Sequence, residues 1–513
     1  DEMLSSLRKG SSAQANAIEF LYNEKTCLKS ILNSEFGAAA IKALKDNGYF
    51  IETQEKAGRI PYKELNNFSK DVQLTSEQSR AIQSVINTEK RVTLLFGVTG
   101  SGKTEVYLRL INETLKKGRT AIMLVPEIAL TPQMLGQLRA RFEGSVSILH
   151  SGLSAGERYD EWLKLKTGES KIAIGARSAI FAPLENVGII IVDEEHDSSY
   201  EAETSPRYKT VEIAIKRAAE TGAKVVLGSA TPSIESYDKA LSGEYNLAEM
   251  KTRINGKQLP EFIVADMRKE IRRGNASIFS ADLRDGLEDC LKNGNQAIVF
   301  YNRRGYSRQV ICRDCGYVAK CENCDISLNY HKDYNLLKCH YCGATYKMPK
   351  ACPECGSINL SYSGAGTQKI VSELQNLFPS AKIIRMDNDT TQTKDGHFKI
   401  LKEFAEHKAD FLVGTQMVAK GHDFPSVTLV GILDADMSLY FSDYRSGERT
   451  FQLITQVAGR SGRANKKGKV VLQTYNPENE ILQAAINYDY DGFFEREKAI
   501  RKATGFPPYA LIV

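Results

Sequence analysis

Neither sign of charge dominates this chain: 68 lysines and arginines stand against 63 aspartates and glutamates, a net charge of +5. A globally basic surface is therefore excluded, and any contact with nucleic-acid phosphate must come from local patches. The sequence also lacks an apolar run of about 18 residues, a signal-peptide pattern and a long low-complexity tail. Those absences predict a soluble cytoplasmic protein with no membrane partner. No fixed-period repeat is visible. Cysteine is nearly missing outside one stretch: only Cys27 and Cys290 stand alone, and both are expected to be buried thiols. The 513 residues suffice for three or more domains with ample core. The chain starts at Asp1 and stops at Val513 inside an apolar phrase, which points to a piece of a longer protein.

The other eight cysteines form four Cys-x-x-Cys pairs: Cys312/Cys315, Cys321/Cys324, Cys339/Cys342 and Cys352/Cys355. Two thiolates a short turn apart reach one tetrahedral Zn²⁺, and two such pairs close a four-sulfur site. Eight sulfurs thus imply two structural zinc ions with no open position for substrate. Spacing alone leaves the pairing open. A nested arrangement is preferred, with Cys321, Cys324, Cys339 and Cys342 on one ion and Cys312, Cys315, Cys352 and Cys355 on the other. The inner loop of fourteen residues is then close to ribbon spacing. Disulfides are the competing reading, but nothing points to an oxidising compartment. Lysines and tyrosines interleave through this stretch, a mixture that permits DNA contact and equally serves solubility.

Within a first domain placed at residues 1–65, residues 13–53 show three short helical periods, around Ile18/Leu21, Leu28/Ile31/Leu32 and Ala40/Ile41/Leu44, followed by a strand over Tyr49–Glu52. A winged-helix-like domain is expected there, with a small packing domain as an equal alternative. From about Val72 the pattern changes to buried strands alternating with helices: Val92–Phe96, Ala121–Val125, Ile172–Gly175, Gly188–Asp193 and Lys224–Leu227. A second series runs through Gln296–Tyr301, Lys382–Met386, Phe411–Gly414, Leu429–Leu433 and Val470–Thr474. The fold class is therefore α/β, with two tandem RecA-like parallel-sheet lobes. Lobe 1 is placed at residues 66–250 and lobe 2 at 251–307 and 361–480, with the two-zinc module inserted at 308–360. A linker and the start of a further, truncated domain are placed at 481–513.

Gly97-Val-Thr99-Gly100-Ser101-Gly102-Lys103-Thr104 follows a strand and opens a helix over Glu105–Leu115, as a phosphate-cradling loop requires. Lys103 is expected to reach the β/γ-phosphates of ATP, and Thr104 to ligate Mg²⁺. Asp193-Glu194-Glu195-His196 ends an apolar strand; Asp193 is positioned to hold Mg²⁺ and Glu194 to polarise the attacking water. Arg460 and Arg463, flanked by glycines, supply two cations for the charge that builds on the γ-phosphate, with Arg463 as the finger and Arg460 beside it.

From about Leu74 to Arg463 these residues resemble superfamily 2 helicases. Leu74-Thr-Ser-Glu-Gln78 is similar to the adenine-reading segment, with Gln78 the base contact. Pro126–Pro132, His150–Gly152 and Gly175–Ser178 resemble strand-tracking motifs of the first lobe, and Ser229-Ala-Thr231 the segment coupling nucleotide to DNA. Gly414–Gln416 and Lys420–Asp423 resemble the second-lobe counterpart, with Asp423 assigned to the nucleotide. Thr131, Arg177, Thr415 and Lys420 are the backbone-contact candidates on single-stranded DNA, and Tyr200 and Tyr208 the DNA-coupling candidates. Within the superfamily the chain is similar to the PriA family, the bacterial primosomal replication-restart helicases. The likeness rests on the segment before the motor, the aromatic stretch Asp197–Tyr208 and the four-pair cysteine insertion.

The resemblance implies an ATP-dependent 3′→5′ DNA helicase with ATP, Mg²⁺ and two Zn²⁺. It also implies a monomer near the nucleoid that acts at stalled or abandoned forks and reloads the replicative helicase. Its partners would be single-stranded and forked DNA, single-stranded DNA-binding protein, primosomal loader proteins and the replicative helicase. The family's separate N-terminal domain for nascent 3′ ends has no counterpart in these residues. A loader scaffold, in which ATP gates assembly and unwinding is secondary, is the alternative. An RNA or duplex translocase is a third reading, disfavoured by the paired zinc insertion.

Overall fold

The computed structural model describes residues 12–24, 27, 29–52, 73–126, 132–142, 144–256, 258–275, 277–301, 309–324, 326–331, 334–361, 366–387, 390–391, 396–418, 424–441, 443–462 and 468–510. Among the described residues, the N-terminal unit contains the helices Ser12–Glu24, Lys29–Phe36 and Ala38–Asp46, one for each predicted helical period. They enclose Ala17, Leu32, Ile41 and Leu44. Cys27 is only half-buried at the edge of this cluster, contrary to expectation. The strand expected at Tyr49–Glu52 is irregular backbone, and among the described residues no strand lies beside it. An extended segment needs a neighbour to take its N–H and C=O groups; here Glu52 is instead drawn to Lys29 and Lys45.

In the larger unit, β1 (Val92–Gly97), β2 (Thr120–Leu124), β3 (Val146–Leu149), β4 (Ile172–Gly175), β5 (Val187–Asp193), β6 (Lys224–Ser229) and β7 (Asn246–Met250) build the first sheet. Its order is β3-β4-β2-β5-β6-β1-β7, every neighbouring pair parallel. The central strands are continuous apolar runs because both faces are covered. Leu94, Ile122, Ile190 and Val225 pack into one core, and Leu95, Met123, Ile191 and Val226 into the other. The order sets the C-terminal ends of β1, β6 and β5 side by side, with Phe96 opposite Ser229 and Asp193 opposite Gly228. Loops leaving these three strands therefore converge at one edge, where open α/β sheets bind their ligands.

β8 (Glu261–Asp266) and β9 (Gln296–Tyr301) begin the second sheet. An insertion follows, carrying β10 (Ile311–Cys312), β11 (Asn329–His331), β12 (Leu336–Lys338), β13 (Thr345–Lys347) and β14 (Leu360–Ser361). β11, β12 and β13 form an antiparallel meander, while β10 pairs with β14, so the chain enters and leaves through one short stem. The sheet is completed by β15 (Ile383–Met386), β16 (Phe411–Gly414), β17 (Val427–Leu433) and β18 (Lys469–Thr474), in the parallel order β15-β16-β9-β17-β18-β8. β3, β7 and β8, absent from the sequence expectation, are all edge strands. Cys290 is buried in the lobe 2 core, as expected, its Sγ 3.4 Å from Thr428 Oγ1.

Within 481–513, the helix Tyr490–Thr504 packs on both lobes. Tyr490 meets Phe96 (ring centroids 5.2 Å apart), Phe494 meets Tyr237 (4.8 Å) and Phe493 stacks on Phe451 (4.5 Å). No helix among the described residues is long and apolar enough to cross a membrane.

Candidate functional site

The loop after β1 turns through two left-handed glycines, Gly100 (φ 84°) and Gly102 (φ 82°), and feeds the helix Lys103–Lys116. Gly102 is required twice over, because a Cβ there would also collide with Gln78 Nε2. Lys103 is only 9% exposed and donates to the Gly97 carbonyl at 2.8 Å. Ser101 Oγ is buried, with no hydrogen-bond partner among the described residues. These features fit a polyphosphate: positive-φ glycines, a helix N-terminus, a lysine at the loop and a spare hydroxyl. Gln78 is buried; it accepts from Thr75 N (2.9 Å) and donates to the Ser101 and Gly102 carbonyls (3.2 and 3.3 Å). Its carboxamide thus braces the phosphate loop from beneath. Arg253, not singled out from sequence, lies against Gly100, and Ile254 N donates to the Gly100 carbonyl at 3.0 Å.

Across the sheet edge, Asp193 ends β5. Tyr107 Oη donates to its Oδ1 at 2.8 Å and Tyr200 Oη to its carbonyl at 2.8 Å. Burial, reinforced by the Glu194 charge, pushes Asp193 up to about 6, against Lys103 and the Tyr107 hydroxyl. Thr104 and Asp193 offer the hard oxygen donors that suit Mg²⁺. Glu194 sits at φ 48°, a left-handed backbone that a non-glycine side chain tolerates only where its surroundings enforce it. His196 Nδ1 is 2.7 Å from Ser229 Oγ and 3.7 Å from Glu194 Oε2, and Ser229 Oγ also accepts from Thr231 N at 2.9 Å. The acidic box and the Ser-Ala-Thr segment are therefore wired together. Glu195 turns away from the nucleotide loop: it accepts from Ser233 N, Ser233 Oγ and Ser236 Oγ, and burial pushes it up to about 7.

Lobe 2 reaches this site through the helix Ser446–Ala458 and the turn after it. Gly459 touches Thr99 of the phosphate loop so closely that a Cβ would lie 2.6 Å from Thr99 Cγ2. Arg460 follows, 8% exposed. Gln452 Nε2 donates to the Thr231 carbonyl (3.3 Å), Ile234 N to Glu448 Oε1 (3.0 Å) and Arg445 Nη1 to Glu201 Oε1 (2.7 Å), three lobe-to-lobe contacts that sequence reading missed. Arg177 donates to the Glu201 carbonyl (2.8 Å), and Tyr208 meets Phe181 edge-on at 5.3 Å. Tyr200 is 2% exposed, beneath the acidic box and out of stacking reach of a base. Thr415 follows β16, its N–H 3.4 Å from the Met386 carbonyl. Thr131, Lys420, Asp423 and Arg463 lie outside the described residues.

The eight paired cysteines gather into two groups: Cys312, Cys315, Cys352 and Cys355, and Cys321, Cys324, Cys339 and Cys342. This is the preferred nested arrangement. Sulfur separations of 3.7 Å (Cys312–Cys355), 3.6 Å (Cys315–Cys352) and 3.6 Å (Cys321–Cys342) exclude disulfides, whose sulfurs lie about 2.05 Å apart. They match the roughly 3.7 Å edge of a tetrahedron with Zn–S bonds of about 2.3 Å. Each group fits one structural zinc. The module docks on lobe 2: Gln309 Nε2 and Ser327 Oγ both donate to the Tyr440 carbonyl.

Comparisons with known proteins agree with this geometry. Residues 75–240 match the DEAD/DEAH box helicase family, 321–347 the PriA DNA helicase Cys-rich region (CRR) domain and 361–465 the helicase conserved C-terminal domain. A solved structure of RecG bound to a three-way DNA junction shares the fold, at a TM-score of 0.50 and 18% identity over 83% of this chain and 47% of that one. The replication restart protein PriA of Bacillus subtilis (strain 168) is 48% identical over 513 residues, 98% of this chain and 64% of that protein. This chain thus spans just under two thirds of that relative. PriA of Haemophilus influenzae is 38% identical over 512 residues, 98% of this chain and 69% of its own length. With the helicase motifs and the nested cysteine groups on one chain, and relatives matched over most of their length, the chain belongs to the PriA family of replication restart proteins.

Proposed function

We propose that these residues form the motor of an ATP-dependent DNA helicase that moves 3′→5′ on single-stranded DNA at stalled or abandoned forks. The observation that carries this reading is the convergence of the phosphate loop, the acidic box and the Gly459–Arg460 turn at one sheet edge. Lys103 and the loop N–H groups hold the phosphates, and Glu194 orients the attacking water. Mg²⁺, held by Thr104 and Asp193, would neutralise the charge on the phosphate oxygens. Arg460, and Arg463 beyond it, stabilise the charge on the γ-phosphoryl group in transfer to water only while lobe 2 is against lobe 1, so hydrolysis follows closure. Closure reaches the DNA through Ser229–Thr231 and through Tyr200, whose hydroxyl is bonded to Asp193. Arg177 and Thr415 are the candidate grips on the DNA backbone, and Lys420 and Thr131 extend them. Forked DNA, single-stranded DNA-binding protein, primosomal loader proteins and the replicative helicase are the proposed partners of a monomer.

ATP turnover measured with single-stranded DNA, duplex and RNA tests this. Single-stranded DNA is expected to stimulate most, with strand displacement only from a 3′-tailed duplex. A folded chain that hydrolyses no ATP with any of the three would refute it.

A further inference from the structure

The helix Tyr490–Thr504 lies outside both helicase-family matches, yet it contains the most deeply buried arginine among the described residues. Arg501 is 1% exposed, and all three guanidinium nitrogens are engaged. Nη2 donates to Glu448 Oε2 (2.6 Å), Nε to Glu497 Oε1 (2.9 Å), and Nη1 to Glu235 Oε1 (3.4 Å) and the Pro507 carbonyl (3.3 Å). The Tyr444 ring lies 5.1 Å from the guanidinium carbon. A charge so buried persists only when paired, and a planar fork is the group that can serve three carboxylates at once.

Glu448, 3% exposed, makes the shortest of the three carboxylate contacts, while Glu235 gives Arg501 a direct contact with lobe 1. Glu448 Oε1 accepts from Ile234 N of lobe 1 (3.0 Å) and from Gln452 Nε2 (3.3 Å), which also donates to the Thr231 carbonyl (3.3 Å). Thr231 N donates to Ser229 Oγ, which is 2.7 Å from His196 of the acidic box. The path from Arg501 to the hydrolytic site is thus an unbroken run of direct contacts that crosses between lobes at Glu448 and Gln452. Nearby, Tyr490 Oη donates to the Pro232 carbonyl (2.8 Å) and Tyr237 Oη to Asp491 (2.9 Å), so the same helix grips both ends of Pro232–Tyr237.

We propose that Arg501 is a positioning residue that holds Glu448 against the Ser-Ala-Thr segment and so couples ATP turnover to the register of the two lobes. The coupling role rests on the ATPase reading above; the register role does not. Arg501 touches neither phosphate loop nor acidic box, so its loss should lower turnover without changing ATP affinity.

The test compares the full chain with Arg501→Gln, Arg501→Lys and the pair Arg501→Gln/Glu448→Gln. Amide hydrogen exchange over residues 230–236 is read alongside ATP kinetics with single-stranded DNA. In Arg501→Gln, exchange at 230–236 should rise and DNA-stimulated kcat fall about tenfold, with KM for ATP within about twofold. The paired variant should recover part of both, because it removes the carboxylate stranded at position 448, leaving those of Glu235 and Glu497, while the amide oxygen introduced by Glu448→Gln still accepts from Ile234 N. Arg501→Lys should fall between. Unchanged exchange at 230–236 in a folded Arg501→Gln protein, or a paired variant no better than the single one, would overturn the register role whether or not the chain hydrolyses ATP. A KM shift as large as the kcat loss would overturn the coupling role. Absent turnover in the unaltered chain would instead count against the helicase reading, leaving the exchange result to judge Arg501.

Discussion

Glu195 is the third residue of the acidic box, but its surroundings make it a structural carboxyl. Burial raises it from 4.5 to about 7, against three donors from Ser233 and Ser236. The folded chain therefore holds this proton more tightly than the unfolded chain. The associated stability is complete below about pH 4.5 and is lost as pH rises through about 7, on the order of 3 kcal/mol. Glu195→Gln keeps the shape without the charge. Its thermal midpoint should exceed that of the parent by several degrees at pH 8, and the gap should close toward pH 5. A second prediction concerns Gly459. An alanine Cβ would lie 2.6 Å from Thr99 Cγ2 and 3.1 Å from its hydroxyl, so the arginine turn must back away from the phosphate loop. Steady-state kinetics of Gly459→Ala should show kcat for ATP lowered about tenfold or more at an unchanged melting temperature. Neither effect was legible in sequence, where Glu195 is one carboxylate in a row and Gly459 one glycine beside an arginine.

Among the elements, the zinc module has a proximal and a distal half. The outer cysteine group sits on the β10–β14 stem, where Asp314 accepts from Ser357 Oγ (2.5 Å) and Asn359 Nδ2 (3.0 Å) and Gly316 packs on the Tyr475 carbonyl of lobe 2. The inner group closes the far meander. Cys321→Ser/Cys324→Ser should release one of two zinc ions by metal analysis, leave DNA-stimulated ATP turnover within about twofold and impair strand displacement. Cys312→Ser/Cys315→Ser should also lose one ion but depress turnover and displacement together, because the stem is anchored to the motor. The secondary structure was readable where burial is two-sided. The central strands are unbroken apolar runs, whereas β7 and β8 expose polar residues at sheet edges and the apolar run of β3 is interrupted by Ser147. The N-terminal strand expectation failed for a related reason: a short aromatic and aliphatic run such as Tyr49-Phe50-Ile51 carries no information about whether a partner strand lies beside it.

At the scale of the whole molecule, the two lobes are joined by apolar packing through the helix Tyr490–Thr504 and by polar crossings such as Gln452–Thr231, Ile234–Glu448 and Arg445–Glu201. The Arg445–Glu201 pair is the most solvent-accessible of these, with side chains 28% and 33% exposed. Such a pair adds only about 0–1 kcal/mol to stability. Glu201 directly follows Tyr200, which is bonded to Asp193, so a shift in lobe register at this pair is expected to reach the acidic box. Arg445→Gln should leave the melting temperature and basal ATPase unchanged while cutting stimulation by single-stranded DNA about threefold to tenfold, as read by coupled phosphate release. Retained stimulation would assign the coupling to the Thr231–Gln452 crossing instead.

Chemistry carried by neighbours in the chain was written in the residues: the phosphate loop, the acidic box and the paired thiolates need a few consecutive positions, and a short segment presents them wherever it folds. The nested zinc pairing could be preferred from loop length alone, since a fourteen-residue loop closes most simply on itself. The contacts that turn two lobes into one machine were set by folding. Ile234 and Glu448 are 214 residues apart and Thr231 and Gln452 are 221 apart. A lone glutamate or glutamine on a helix looks like a solvated face until another sheet is packed against it. Arg501 is the extreme case, indistinguishable in sequence from a surface arginine and 1% exposed in the fold.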